Sequence, residues 1–141
     1  MVLYVGLAAA AFLITLVLTP LARRIGMALN MVDHPGGRHI NKYATPRSGG
    51  LAIFVAFIAV FLYSAPDGPA KIGIVLGAIV IFILGFLDDL YGLSAPVKLV
   101  VQIAVALIVT SFGVRIRCIS HPPGGFSEIR AVWGIPLTVL W

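Results

Sequence analysis

Two adjacent carboxylates, Asp88 and Asp89, stand in the segment GFLDDLYG, Gly85–Gly92, directly after a run of sixteen uncharged residues, Ile72–Leu87. A charge at the centre of a bilayer-spanning helix costs roughly 2.5–3.5 kcal/mol on insertion scales. The C-terminal end of a helix carries partial negative charge and favours a cation instead. Neither packing nor capping therefore asks for acids at this point. Solvated acids at headgroup depth are one explanation. The other is chemical: carboxylates here can hold a hard divalent cation or orient a phosphate-bearing group. Successive helical residues point about 100° apart, which divides the work. One acid would reach a metal or substrate while the other orients a neighbour, for which Lys98 is a candidate.

A second constellation lies in DHPGGRHINKYATPRSGG, Asp33–Gly50. Pro35-Gly36-Gly37 makes a turn, and Thr45-Pro46 stops helix formation because the residue before proline disfavours the α region. Gly49 and Gly50 then open an apolar run. The unpaired N–H groups of a helix N-terminus form an anion site, and Arg47 stands beside it. Arg38, Lys42 and Arg47 are candidates for contacting phosphates; anchoring the loop to anionic lipid and setting topology is the alternative for these cations. His34 and His39 lack a helical metal-ligand spacing, and His121 lies far along the chain. One cysteine, Cys118, excludes an intrachain disulfide and any CxxC metal site. The chain contains no P-loop and no GxGxxG motif.

These groups must be held by elements built almost entirely from apolar residues. Of 141 residues 60% are hydrophobic and 11% charged, too few charges to cover such a surface in water. The expected class is an all-α, polytopic membrane protein. The net charge of +5 comes from cations beside apolar runs, with no basic stripe interleaved with aromatics, so nucleic acid is not an expected partner. Apolar runs at Val2–Ala22, Gly49–Ala65, Ile72–Leu87 and Pro96–Val114 predict four transmembrane helices. Pro96 suits a first helical turn. The second and third runs are short for full spans. After Arg130 a fifth run starts, AVWGIPLTVLW, and its last eight residues from Gly134 would make only about 12 Å of helix. The expectation is one membrane domain over 1–141, four spans plus the start of a fifth, as the first part of a longer polypeptide.

Arg23, Arg24, Arg38, Lys42 and Arg47 lie between the first and second runs, whereas only Lys71 lies between the second and third. The positive-inside rule puts the first loop in the cytoplasm. Alternation then puts the N-terminus outside and Asp88 and Asp89 on the cytoplasmic side. The loop RIRCISHPPGGFSEIR would be outside, although its Arg115, Arg117 and Arg130 pull weakly the other way.

Asp33, Pro35, Arg38, Pro46, Arg47, Gly49 and Gly50 fit DxPxxR…PRxGG, and Gly85, Asp88 and Asp89 fit GxxDD at the end of a span. In that order the chain resembles the polyprenyl-phosphate N-acetylhexosamine-1-phosphate transferases, and the arginine of PRxGG favours their N-acetylglucosamine branch. The resemblance covers the whole chain but only the N-terminal part of the family's usual length. It departs where many members carry a histidine three residues after the DxPxxR arginine; here that position is Asn41. Later family motifs, including the magnesium-ligating aspartate, have no counterpart in these residues.

The resemblance implies transfer of N-acetylglucosamine-1-phosphate or a related sugar-1-phosphate from a UDP-sugar to undecaprenyl phosphate, releasing UMP. It places this reaction at the cytoplasmic face of a bacterial inner membrane, in envelope polysaccharide synthesis such as that of lipopolysaccharide or teichoic acid. It assigns catalysis and a share of metal binding to Asp88 and Asp89, and phosphate binding to Arg38, Asn41, Lys42 and Arg47. The implied cofactor is Mg2+, with Mn2+ an admissible substitute. The implied partners are undecaprenyl phosphate, the UDP-sugar and the lipid bilayer, and a homodimer is admissible. The 141 residues by themselves are expected to be inactive. A different class, a small noncatalytic membrane protein that binds anionic lipid or a partner, is the alternative. An intramembrane prenyltransferase is disfavoured because no DxxxD spacing occurs near Asp88.

Overall fold

A computed structural model describes residues 1–33, 45–121 and 124–140. The elements among them are α1 (Val2–Ala28), β1 (Val32–Asp33), β2 (Thr45–Pro46), α2 (Gly49–Ser64), α3 (Pro69–Tyr91), α4 (Ala95–Ser111), β3 (Cys118–His121), β4 (Gly125–Glu128) and α5 (Ala131–Leu140). The chain is thus mainly helical, as its apolar runs imply. Two antiparallel ribbons, β1 with β2 and β3 with β4, are additions that an all-α reading does not contain. They fall in the polar connections, where backbone groups need partners that no helix supplies.

Among the described residues two helices are long and apolar enough to cross a membrane, α1 with 27 residues and α3 with 23. At 1.5 Å per residue they extend about 40 and 35 Å, against a hydrocarbon core of ~30 Å. The other three helices described, with 16, 17 and 10 residues, are shorter. The helix boundaries differ from the apolar runs for local reasons. α1 continues past Arg23 and Arg24 because charges do not end a helix; it stops at a Schellman motif. There Asn30 takes φ 55, its N–H bonds to the Met27 carbonyl, and the Met31 N–H bonds to the Gly26 carbonyl. α3 continues past Leu87 to Tyr91 and stops on Gly92. α4 stops at Ser111, short of Val114. Thr110 and Ser111 there donate back to the carbonyls of Leu107 and Ile108, and Gly113 turns the chain at φ 89.

The residues form two compact units, Met1–Ala65 with Gly85–Gly92, and Pro66–Leu84 with Leu93–Trp141. In the first, α1 packs along α2. The buried residues of both helices are small: Ala22 and Gly26 on α1, Ala52 and Ala56 on α2. Small side chains let helix backbones approach closely where no aqueous hydrophobic effect drives them together. The larger apolar side chains of α1, including Phe12, Leu16 and Val17, face outward. In the second unit α3 meets α4 at Gly73 and Gly77. A Cβ at Gly73 would stand 2.6 Å from Phe112 Cβ, and one at Gly77 would stand 2.6 Å from Val109 Cγ2. α5 is tied to the stretch after α4 by Thr138, whose Oγ1 accepts from the Ile116 N–H at 2.9 Å and donates to the Gly134 carbonyl at 2.6 Å.

Candidate functional site

Asp88 and Asp89 lie within the last turn of α3 rather than beyond its end. The helix closes on Gly92, a glycine at φ 64 whose N–H donates to the Asp88 carbonyl at 2.8 Å. This is the left-handed cap in which the residue after the helix satisfies an orphan carbonyl. It fixes the backbone that carries both acids. Asp88 is half-buried and Asp89 exposed. The last turn of α3 contains no basic residue, and its two carboxylates stand at the negative end of the helix dipole.

The basic motif is set by a different device. Ser48 precedes α2 but makes no side-chain capping bond to it. Its Oγ reaches back and donates to the Ala22 carbonyl on α1 at 2.7 Å, a buried contact. The preceding residue, Arg47, donates its backbone N–H to the Met31 carbonyl at 2.9 Å, and the ribbon register pairs Val32 with Pro46 and Asp33 with Thr45. Arg47 is exposed, beside the first turn of α2, which opens on Gly49 and Gly50. Thr45 and Pro46 stay out of the helix, in the ribbon, as the sequence predicts, and the chain then bends through Arg47 and Ser48 (φ -78, ψ 7) into α2.

Asp88, Asp89 and Arg47 belong to the same compact unit. Lys98, on α4, belongs to the other. Arg38, Asn41 and Lys42 lie outside the described residues, as do His34 and His39. Among the described residues no three histidine, cysteine or acidic side chains cluster as a metal site. Carboxylate oxygens, which this turn presents twice, are the ligand type that a hard divalent cation takes. An apolar groove along α1 and α2, lined by Phe12, Ile53, Phe57 and Phe61 among others, contains no acidic or basic side chain. Ser48 and Gly26 were not legible as site residues. A serine before GG reads as an ordinary N-cap, and only the contact with α1 reveals another use.

Residues 71–141 match the family model described as glycosyl transferase family 4. The chain belongs to glycosyl transferase family 4. Among curated family relatives, a probable undecaprenyl-phosphate N-acetylglucosaminyl 1-phosphate transferase of Bacillus subtilis is 38% identical over 93% of this chain and 37% of its own length. A decaprenyl-phosphate N-acetylglucosaminephosphotransferase of Mycobacterium tuberculosis is 35% identical over 89% of this chain and 33% of its own length. An undecaprenyl-phosphate alpha-N-acetylglucosaminyl 1-phosphate transferase of Yersinia pestis is 24% identical over 91% of this chain and 35% of its own length. The family membership expected from DxPxxR, PRxGG and GxxDD is therefore correct, and the chain spans about a third of the length of these relatives. No solved structure matches the chain.

Proposed function

We propose that this chain is the N-terminal part of a bacterial membrane enzyme that moves N-acetylglucosamine-1-phosphate, or a closely related sugar-1-phosphate, from a UDP-sugar to undecaprenyl phosphate. The observation that carries this reading is the single compact unit holding both Arg47, beside the start of α2, and the Asp88–Asp89 turn of α3. A phosphate-binding cation and a carboxylate pair are the two kinds of group that a phosphoryl transfer between polyanions requires.

In the reaction an oxygen of the lipid phosphate attacks the sugar-proximal phosphorus of the UDP-sugar. A new P–O bond forms, the bond linking the two phosphates of the donor breaks, and UMP leaves with the electron pair. A phosphate monoester with a second pKa near 6 is already mostly dianionic at neutral pH. Deprotonation is therefore the smaller requirement, and positioning the larger one. Asp88 and Asp89 would hold the cation and orient the lipid phosphate. Arg47, with Arg38, Lys42 and Asn41 from the same segment of sequence, binds donor and acceptor phosphates. Mg2+, when bound, would neutralise charge on the transferring phosphate. The remaining ligands come from elsewhere in the enzyme, which leaves these 141 residues inactive by themselves.

The site sits at the cytoplasmic edge of the bilayer. Asp88 is the twentieth residue of α3, about 30 Å from its start, which puts it at headgroup level when Pro69 stands at the opposite boundary. The outward-facing apolar side chains of α1 are the surface that lipid covers. The test is direct. The complete protein, supplied with UDP-N-acetylglucosamine and undecaprenyl phosphate, should release UMP, and the 141-residue chain should not exchange labelled UMP into the donor. Absence of turnover in the complete protein refutes the reading; exchange by the short chain refutes the assignment of essential ligands elsewhere.

A further inference from the structure

We propose that Ser48 is a positioning residue that presents Arg47 to substrate phosphate by anchoring it to the C-terminal end of α1, an inference that rests on the transferase reading. Three contacts make the anchor. The Ser48 hydroxyl, on a residue only 3% exposed, donates to the Ala22 carbonyl at 2.7 Å. The Arg47 N–H donates to the Met31 carbonyl at 2.9 Å. Met31, itself 2% exposed, is held by its own N–H on the Gly26 carbonyl within the Schellman motif. The backbone at Arg47 is thus held by α1 through Ser48 and by Met31, just beyond the α1 end, while its side chain stays exposed.

Gly26 makes the approach feasible. A Cβ built there would overlap Ser48 Oγ and stand 2.7 Å from Ser48 Cβ and 3.1 Å from Pro46 Cβ. Ser48 thus trades the capping bond its type favours for a bond to another helix. It leaves the first turn of α2 without a side-chain cap, and the Leu51 N–H there bonds to the Ser48 carbonyl at 3.1 Å instead.

Turnover kinetics of the complete protein with UDP-N-acetylglucosamine and undecaprenyl phosphate test the proposal. Ser48→Ala should raise KM for a phosphate-bearing substrate about fivefold, the scale of one lost buried hydrogen bond, with a smaller change in kcat. Arg47→Ala should raise the same KM, and the double variant should be no worse than Arg47→Ala alone, because Ser48 acts through Arg47. Gly26→Ala should lower thermal stability. Gly26→Ala combined with Ser48→Gly should restore stability, by removing the overlapping atoms, yet leave KM raised, because the hydroxyl is still missing. An unchanged KM in Ser48→Ala, additive effects in the double variant, or full recovery of KM by the swap each overturn the proposal. Amide hydrogen exchange at Arg47, which needs no turnover, should accelerate in Ser48→Ala; unchanged protection overturns the anchor. If the wild-type protein shows no turnover, the transferase reading falls and exchange alone decides whether Ser48 holds Arg47.

Discussion

At the scale of single residues, the acids at positions 88 and 89 differ in environment although they are neighbours in sequence. Asp88 is half-buried four residues before the left-handed cap on Gly92, and Asp89 is exposed. If both serve the transfer, their replacement by asparagine keeps shape and hydrogen bonding but removes the charge that holds a cation. Asp88→Asn and Asp89→Asn are each expected to lower turnover of the complete enzyme, at least one of them by about 100-fold or more, read as UMP release. Retention of full turnover by both would remove the catalytic assignment. Chelation with EDTA is expected to abolish UMP release and added Mg2+ to restore it; turnover that survives chelation would sink the metal role. The acid pair was legible in the sequence because charge at the end of an apolar run is chemically out of place. Ser48 was not, because a serine ahead of a helix carries the same signal whether it caps that helix or reaches to another.

At the scale of elements, the apolar runs located every helix among the described residues, whereas the residues that end the helices set their lengths. Asn30, Gly92 and Gly113, each with positive φ, are the stops, and all three are residue types that signal a helix end in sequence. Hydropathy alone missed them because it weighs side chains and not backbone conformation. The two ribbons were hidden for a different reason: two-residue and four-residue strands carry too little alternation to register. Contacts between helices are equally invisible until the fold is known. In the second unit, Gly73 faces Phe112 Cβ and Gly77 faces a terminal methyl of Val109. A Cβ atom is fixed to its backbone, but a methyl can be deleted. Gly73→Ala is therefore expected to destabilise by about 1–3 kcal/mol, the usual range for overpacking. Gly77→Ala is expected to cost less, and Gly77→Ala with Val109→Ala to cost less than the sum of the two. Thermal melts in detergent measure all four; strict additivity of the Gly77 and Val109 changes would mean that these side chains do not meet.

At the scale of the whole molecule, the decisive question is which charged segments share a compartment. α1 is about 40 Å long, so with Val2 at one boundary of a ~30 Å core its final turns, including Arg23 and Arg24, project among headgroups. Arg47 follows within the same connection. If α2 and α3 both cross, positive-inside bias predicts these basic residues and the acids of α3 in the cytoplasm, and the ribbon from Cys118 to Glu128 outside, despite the Arg115, Arg117 and Arg130 that flank it. The protein carries a natural reporter for this arrangement, since Cys118 is exposed and is its one cysteine. A membrane-impermeant maleimide applied to intact cells is expected to label the wild-type protein at Cys118. In a Cys118→Ser background, single cysteines introduced as Arg47→Cys or Asp89→Cys should stay unlabelled until the membrane is permeabilised. Inverted labelling of all three positions would reverse the orientation but keep the basic segment and the acids together. Labelling of Arg47→Cys and Asp89→Cys from opposite sides would separate the two constellations by the thickness of the bilayer, and no phosphate could then reach both.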